Sequence, residues 1–229
     1  MSPEQVLQTL VGFMVFVFSV VVHENAHGLA AEKYGDLTAR AAGRITMNPL
    51  PHIDPVGSVI LPLFAFISNI PFIGWARPVP VNSANLKNPI VHNAYVAAAG
   101  PISNFLLAVA GTLLYIVVLL VYKHVPGLAS GGGGNSLLFF TSLCDSMIRI
   151  NCVLGIFNLI PVPPLDGHWI LFRYLPSRYA QMLAAIRPYG FFILLALLWT
   201  GVIRIIIWLP WTLLSGGLLK LVQAAYTTL

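Results

Sequence analysis

The sequence predicts an all-α polytopic membrane protein, a single integral membrane domain over residues 1–229. Three observations lead there. Of the 229 residues, 58% are hydrophobic and only 8% are charged, against roughly 25% charged in an average soluble domain. The few charges leave long uncharged runs, from Glu4 to Glu24, Lys87 to Lys123, Lys123 to Asp145, Arg149 to Asp166, Arg187 to Arg204 and Arg204 to Lys220. The chain also holds 17 Pro and 19 Gly, which describes helices that are broken in places. This composition excludes an ordinary cytoplasmic enzyme and a collagen-like, disordered or disulfide-framework chain. The net charge of +5 is dispersed rather than clustered. It therefore suits juxtamembrane placement against a lipid bilayer and not nucleic-acid binding.

In chain order, the first helix is expected over about 6–31. It has no basic segment before it and no cleavage site, so it reads as retained rather than as a signal peptide. Residues 33–54 are polar and rich in Gly and Pro, a connecting segment with room for short strands. The apolar run 56–74 contains Gly57, Pro62, Pro71 and Gly74 and follows Pro55, so a re-entrant or broken segment fits better than a straight span. Further helices are expected over about 92–122, 138–160 and 182–208, with SGGGGNS at 130–136 as a turn. The tail 211–227 is ambiguous between crossing and not crossing.

The chemistry begins at His23-Glu24-Asn25-Ala26-His27. Histidines four apart share a helix face and can reach one metal, and the glutamate beside the first can point at a metal-bound water. Three ionisable residues within hydrocarbon are expensive, and zinc is the simplest group that offsets their burial. The bland alternative is a polar helix end in headgroup water. Two histidines leave a catalytic zinc short of a ligand. Among the few acids Asp166 stands out, because it follows an apolar helix that loses regularity in Asn158-Leu159-Ile160-Pro161-Val162-Pro163-Pro164-Leu165-Asp166-Gly167.

With HENAH at 23–27, the Asn-x-x-Pro-x-x-x-Leu-Asp-Gly pattern at 158–167 and Gly100-Pro101-Ile102-Ser103-Asn104 at a helix opening, the sequence resembles the site-2 proteases. These are intramembrane zinc metalloproteases, and the likeness is to the compact form without a PDZ domain. It covers a motif-bearing core of about 8–175 and leaves the C-terminal helical region of about 182–229 unmatched by motifs. The resemblance implies a site-2-protease-like helical core in which His23, His27 and Asp166 bind one Zn2+ per chain and Glu24 activates water. It implies a transmembrane or membrane-anchored protein substrate, cut in or near its membrane segment; the oligomeric state is left open. Zinc would acidify its water and polarise the scissile carbonyl, and Glu24 would carry the proton to the leaving amine. A non-proteolytic membrane zinc hydrolase and a metal-binding transporter or inert scaffold are the competing classes; the single glutamate beside a helical zinc pair argues against transport, and the presence of Glu24 with both ligand segments argues against an inert scaffold.

If Asp166 meets His23 and His27, helices 6–31 and 138–160 run parallel with 92–122 returning between them, and 56–74 makes no full crossing. Lys33, Arg40, Arg44, Arg77, Lys87, Arg173, Arg178 and Arg187 then fall on the motif side and Lys123 opposite. This charge bias predicts a cytoplasmic motif side and an outside amino terminus in the cell membrane. Asn158 and His168 are candidates for substrate or oxyanion contacts. His52 and Asp54 are loop residues that could adjoin the site, and Asn104 could hydrogen-bond across the contact with the HENAH helix. Cys144 and Cys152, eight apart in an apolar segment, read as packing thiols.

Overall fold

A computed structural model describes residues 2–60, 76–125 and 133–228. Helix α1 (Pro3–Lys33) opens with a capping box in which Ser2 and Gln5 satisfy each other's free amides, with Pro3 in the first turn. A short helix α2 (Thr38–Ala41) follows, then two 3-10 turns, Leu50–His52 and Ser83–Asn85. Next come α3 (Pro89–His124), capped by Asn88, and α4 (Gly133–Asn158). The carboxyl-terminal part holds α5 (Gly167–Tyr174), α6 (Ser177–Ile186), α7 (Gly190–Trp199) and α8 (Val202–Thr228).

Helices α1, α3 and α4 form the core, and side-chain contacts give their directions. Along α3, Val96 meets His27, Asn104 meets His23 and Asn151, and Gly111 packs on Met147. As α3 advances, its partners on α1 and α4 recede, so α1 and α4 are parallel and α3 runs back between them, as the motif argument requires. Chain reversals beside α1 depend on Gly35 and Gly43, whose φ values of 109° and 65° lie in the left-handed region.

Four sequence expectations need correction or qualification. The short strands allowed for in 33–54 do not occur among the described residues. The buried Asp36 instead accepts from the Thr38 amide and starts α2, and the chain continues in bends and a 3-10 turn. The turn expected at 130–136 lies partly outside the described residues, and Gly133 onward is already helical. The re-entrant or broken segment over 56–74 lies mostly outside them as well. Its flanks are described, and they meet: the Arg77 amide donates to the His52 carbonyl at 2.9 Å, and Arg44 donates to the Arg77 carbonyl at 2.7 Å.

The expected helix over 182–208 is broken twice, at the 3-10 turn Arg187–Tyr189 and at Gly201, whose φ is 77°. Five helical stretches are long and apolar enough to cross a membrane, Ser177–Trp199 among them. Packing nevertheless keeps the chain from Arg187 to Ile203 at one end of the core. The Arg187 guanidinium sits 4.1 Å over the Trp169 ring, Gly190 abuts Pro163, and Leu194 and Ile203 pack with Ile160 and Leu165. Helix α8, which absorbs the ambiguous tail, then runs the full length of the core. It starts beside Ile160, donates from Trp211 to the Arg149 carbonyl, and ends where Lys123 reaches the Tyr226 carbonyl.

Candidate metal centre

His23 and His27 lie one turn apart on α1, both buried. Their Nε2 atoms are 3.0 Å from each other. Asp166, in the turn between α4 and α5, closes the triangle, with Oδ2 3.2 Å from His23 Nε2 and Oδ1 3.3 Å from His27 Nε2. Ligands at 2.0–2.1 Å around a tetrahedral zinc stand about 3.3–3.4 Å apart, so the triangle has the dimensions of one face of such a site. The outer nitrogens are also engaged: His23 Nδ1 lies 2.6 Å from Asn104 Oδ1, and His27 Nδ1 lies 2.7 Å from the Val96 carbonyl. Both partners are acceptors, so each Nδ1 carries a proton and donates. With Nδ1 engaged in this way, each imidazole turns Nε2 toward the other ring and toward a carboxylate whose Oδ2 is buried without a hydrogen bond. Two imidazole nitrogens and a carboxylate converging on one point suit a cation. Among the described residues, His23, His27 and Asp166 are the group of three able to share one.

Helix α3 supports the site at close range. A Cβ on Gly100 would fall 2.5 Å from His27 Nε2 and 2.6 Å from His23 Nε2, so only glycine lets this backbone face the imidazoles. Pro101, with no amide proton, frees the Ala97 carbonyl from the helix ladder one residue from the Val96 carbonyl that holds His27. On the other side, Gly167 follows Asp166 where any Cβ would collide with the Leu159 and Ile160 carbonyls.

Glu24 accepts from the Val79 amide at 2.7 Å. Val79 belongs to the segment 76–82, which Asp36 ties down: its carboxylate accepts from the Asn82 amide at 2.7 Å and the Asn85 side chain at 2.9 Å, besides the Thr38 amide and hydroxyl. Burial pushes the Asp36 carboxyl up, but these four donors outweigh it and hold the group below its ordinary value. The loop carboxylate thus fixes the segment that steadies Glu24.

A cavity of about 1460 Å³ opens onto the triad and Glu24. It follows α1 from Thr9 through Phe13, Phe16 and Val20 to His27, with α4, α7 and α8 as the facing wall. From Thr9 to Glu24 this is about 22 Å of helix at 1.5 Å per residue. Asn158 lines it, with its amide group donating to the Leu154 carbonyl. His168 is buried beside the Asp166 turn but is not in the cavity wall; its Nδ1 meets the Leu165 carbonyl. His52 is buried, and its Nε2 shares the Thr46 carbonyl with Asn25 of α1. Asp54 accepts from the Val56 and Gly57 amides and so shapes a turn. Asn104 sits directly against His23.

Sequence reasoning missed Val79, Val96, Asn151 and Ser19. The first two act through backbone atoms, which carry no residue signature. Asn151 had a usable signal, a lone amide within an apolar helical run.

Comparison with known proteins places these features in context. The profile of peptidase family M50 matches residues 128–200, the stretch that contains Asp166. Over 220 residues the chain is 34% identical to the candidate zinc metalloprotease YwhC of Bacillus subtilis, covering 94% of this chain and 92% of that protein. It is 28% identical over 186 residues to the candidate zinc metalloprotease Rip2 of Mycolicibacterium smegmatis, covering 81% of this chain and 65% of the relative. It is also 28% identical over 170 residues to the zinc metalloprotease MJ0392 of Methanocaldococcus jannaschii, covering 74% of this chain and 36% of that protein. No solved structure matches the chain.

Proposed function

The chain belongs to peptidase family M50, the site-2 protease family of zinc metalloproteases, and on that premise we propose that it cuts membrane-spanning or membrane-anchored proteins within or beside their transmembrane segments. The observation that carries this reading is the buried His23–His27–Asp166 triangle at the end of a long apolar cavity along α1. A soluble peptide has no need of such walls, whereas a transmembrane segment matches them in polarity and in length.

His23 and His27 through Nε2, and Asp166 through its carboxylate, would hold one zinc. Bound there, zinc supplies the Lewis acidity that makes water a nucleophile near neutral pH and polarises the scissile carbonyl. Glu24, in the same cavity and steadied by the Val79 amide, takes the water proton and passes it to the departing amine. Asn158, on the cavity wall, is placed to hold the substrate backbone. Because helical carbonyls are already hydrogen-bonded, the substrate has to fray or carry helix-breaking residues at the bond that is cut.

The motif end faces the cytoplasm in this reading, since Lys33, Arg40, Arg44, Arg77 and Lys87 cluster in the segments around it while Lys123 lies at the far end. With α1, α3, α4 and α8 as the crossing helices, both termini are outside the cell. The test is cleavage of a designed transmembrane substrate by the purified, zinc-loaded protein in lipid. Cleavage is expected for the wild type and is lost in Glu24→Gln, which keeps about one zinc per chain; His23→Ala loses both. Normal turnover by Glu24→Gln would remove the glutamate from the mechanism. Absence of cleavage across substrates with frayed and intact helices would reject the membrane-substrate reading.

A further inference from the structure

Behind His23, away from the cavity, three polar side chains continue from it in one buried line through α3, α4 and α1: Asn104, Asn151 and Ser19. Asn104, Asn151 and Ser19 are wholly inaccessible. An amide can be turned either way round, so its direction must come from its partners. Here one partner admits a single answer. The Met147 carbonyl can only accept, and it meets Asn151 Nδ2 at 2.9 Å. The same NH2 group donates its other proton to Ser19 Oγ at 2.9 Å.

With its nitrogen held there, Asn151 presents Oδ1 to Asn104, whose Nδ2 donates to it at 2.9 Å. Asn104 therefore turns its own Oδ1 to His23 Nδ1, 2.6 Å away. That oxygen can only accept, so a proton is held on His23 Nδ1, and Nε2 is left as the nitrogen that faces His27 and Asp166. Reversing either amide would set two donors or two acceptors face to face inside the core, or would transfer the proton to Nε2 and aim an N–H into the triangle. The first outcome is costly in a buried setting, and the second occupies the nitrogen that a metal needs.

We infer that Asn151, which makes no contact with the triad, is a positioning residue: through Asn104 it fixes His23 in the tautomer able to bind a metal. The direction originates in the Met147 carbonyl and passes through two amides. The metal-binding consequence rests on the proposed function; the tautomer does not. A simple packing role, in which an asparagine pair merely joins two membrane helices, would leave the tautomer unchanged when Asn151 is replaced by an apolar residue.

The experiment uses the full chain labelled with 15N-histidine, zinc-free and then zinc-loaded, in one detergent. Two-bond proton–nitrogen spectra identify the His23 tautomer, assigned by the signal lost in His23→Gln. The wild type is expected to show one species protonated at Nδ1. Asn151→Leu frees the Asn104 amide to turn and should give mixed tautomers, with zinc affinity, read by chelator competition, about 10- to 100-fold weaker, as for other residues that orient metal ligands. Ser19→Ala leaves the Met147 anchor in place and should lose less. If Asn151→Leu does not fold, Asn151→Ser, which offers Asn104 either a donor or an acceptor, serves for the same comparison. A single Nδ1-protonated species and zinc affinity within about twofold of wild type in the folded variant would overturn the inference. Wild-type protein that binds no zinc would instead end the metalloprotease reading, with the tautomer comparison still deciding the role of Asn151.

Discussion

Replacing Gly100 with alanine adds one methyl group, yet it should disable the enzyme. The added Cβ would lie 2.5 Å from His27 Nε2 and 2.6 Å from both Nε2 and Cε1 of His23. Ordinary contact begins near 3.4 Å, so about 0.9 Å of separation has to be found. The imidazoles cannot simply swing aside, because each Nδ1 is held at 2.6–2.7 Å by a buried acceptor on the same helix as Gly100. Either α3 retreats and pulls those acceptors with it, or the ring nitrogens move. Metal–ligand distances tolerate only about 0.2 Å, and a displacement of about 1 Å at a reacting centre can cost on the order of 100-fold. We therefore expect Gly100→Ala to fold with a stability loss of about 1–3 kcal/mol from overpacking, to bind zinc much more weakly, and to lose at least about 100-fold in turnover. Gly216→Ala in α8, where an added Cβ meets nothing within 4 Å, is the control and should be silent. The assay pairs metal analysis with single-turnover cleavage and a thermal melt. One zinc per chain at wild-type affinity together with turnover within about twofold would refute the geometry proposed for the site.

Three further outcomes can be measured. Asp36→Asn should lower stability at neutral pH by roughly 1.5–3 kcal/mol, the worth of hydrogen bonds to a charged group. Because the folded-state value of Asp36 is depressed, its contribution is complete above the unfolded value near 3.9 and fades as pH falls through the lower folded value. The melting temperatures of wild type and Asp36→Asn should therefore converge only in acid below about pH 4; a difference that is constant from pH 7 to pH 3 would contradict this. Gly167→Ala should destabilise the Asp166 turn and release zinc, because its Cβ would strike two backbone carbonyls rather than a movable side chain; full zinc retention on metal analysis would count against it. For topology, Arg77→Cys and Lys123→Cys in a chain lacking Cys144 and Cys152 should be labelled from opposite faces of the membrane, Arg77→Cys from the cytoplasm, and labelling of both from one face would reject the assigned sidedness.

How far the sequence discloses this protein depends on which atoms do the work. His23, Glu24, His27 and Asp166 are legible because a titratable side chain in an apolar helix, or in a proline-broken end of one, is expensive and calls for a reason. The parallel course of α1 and α4 follows once those residues must meet. The interruption near Gly201 is not legible in the same way. Residues 182–208 are almost uniformly apolar, and hydropathy does not separate a stretch that crosses lipid from one that folds back on protein. Only the packing of Leu194 and Ile203 on Ile160 and Leu165 reveals that this stretch stays at the metal end. The layer behind the ligands is less legible still. His27 is held by the Val96 carbonyl, Glu24 by the Val79 amide and both imidazoles by the bare Cα of Gly100, so two of the three contacts would survive most changes of residue type. Asn151 lies between these cases. Its amide is visible in the sequence as an isolated polar group, but its purpose depends on direction, and direction appears only when donors and acceptors are followed from the Met147 carbonyl to the His23 ring. A candidate ligand set can therefore be read from residue identity, whereas the direction of the hydrogen bonds behind it is a property of the assembled helices.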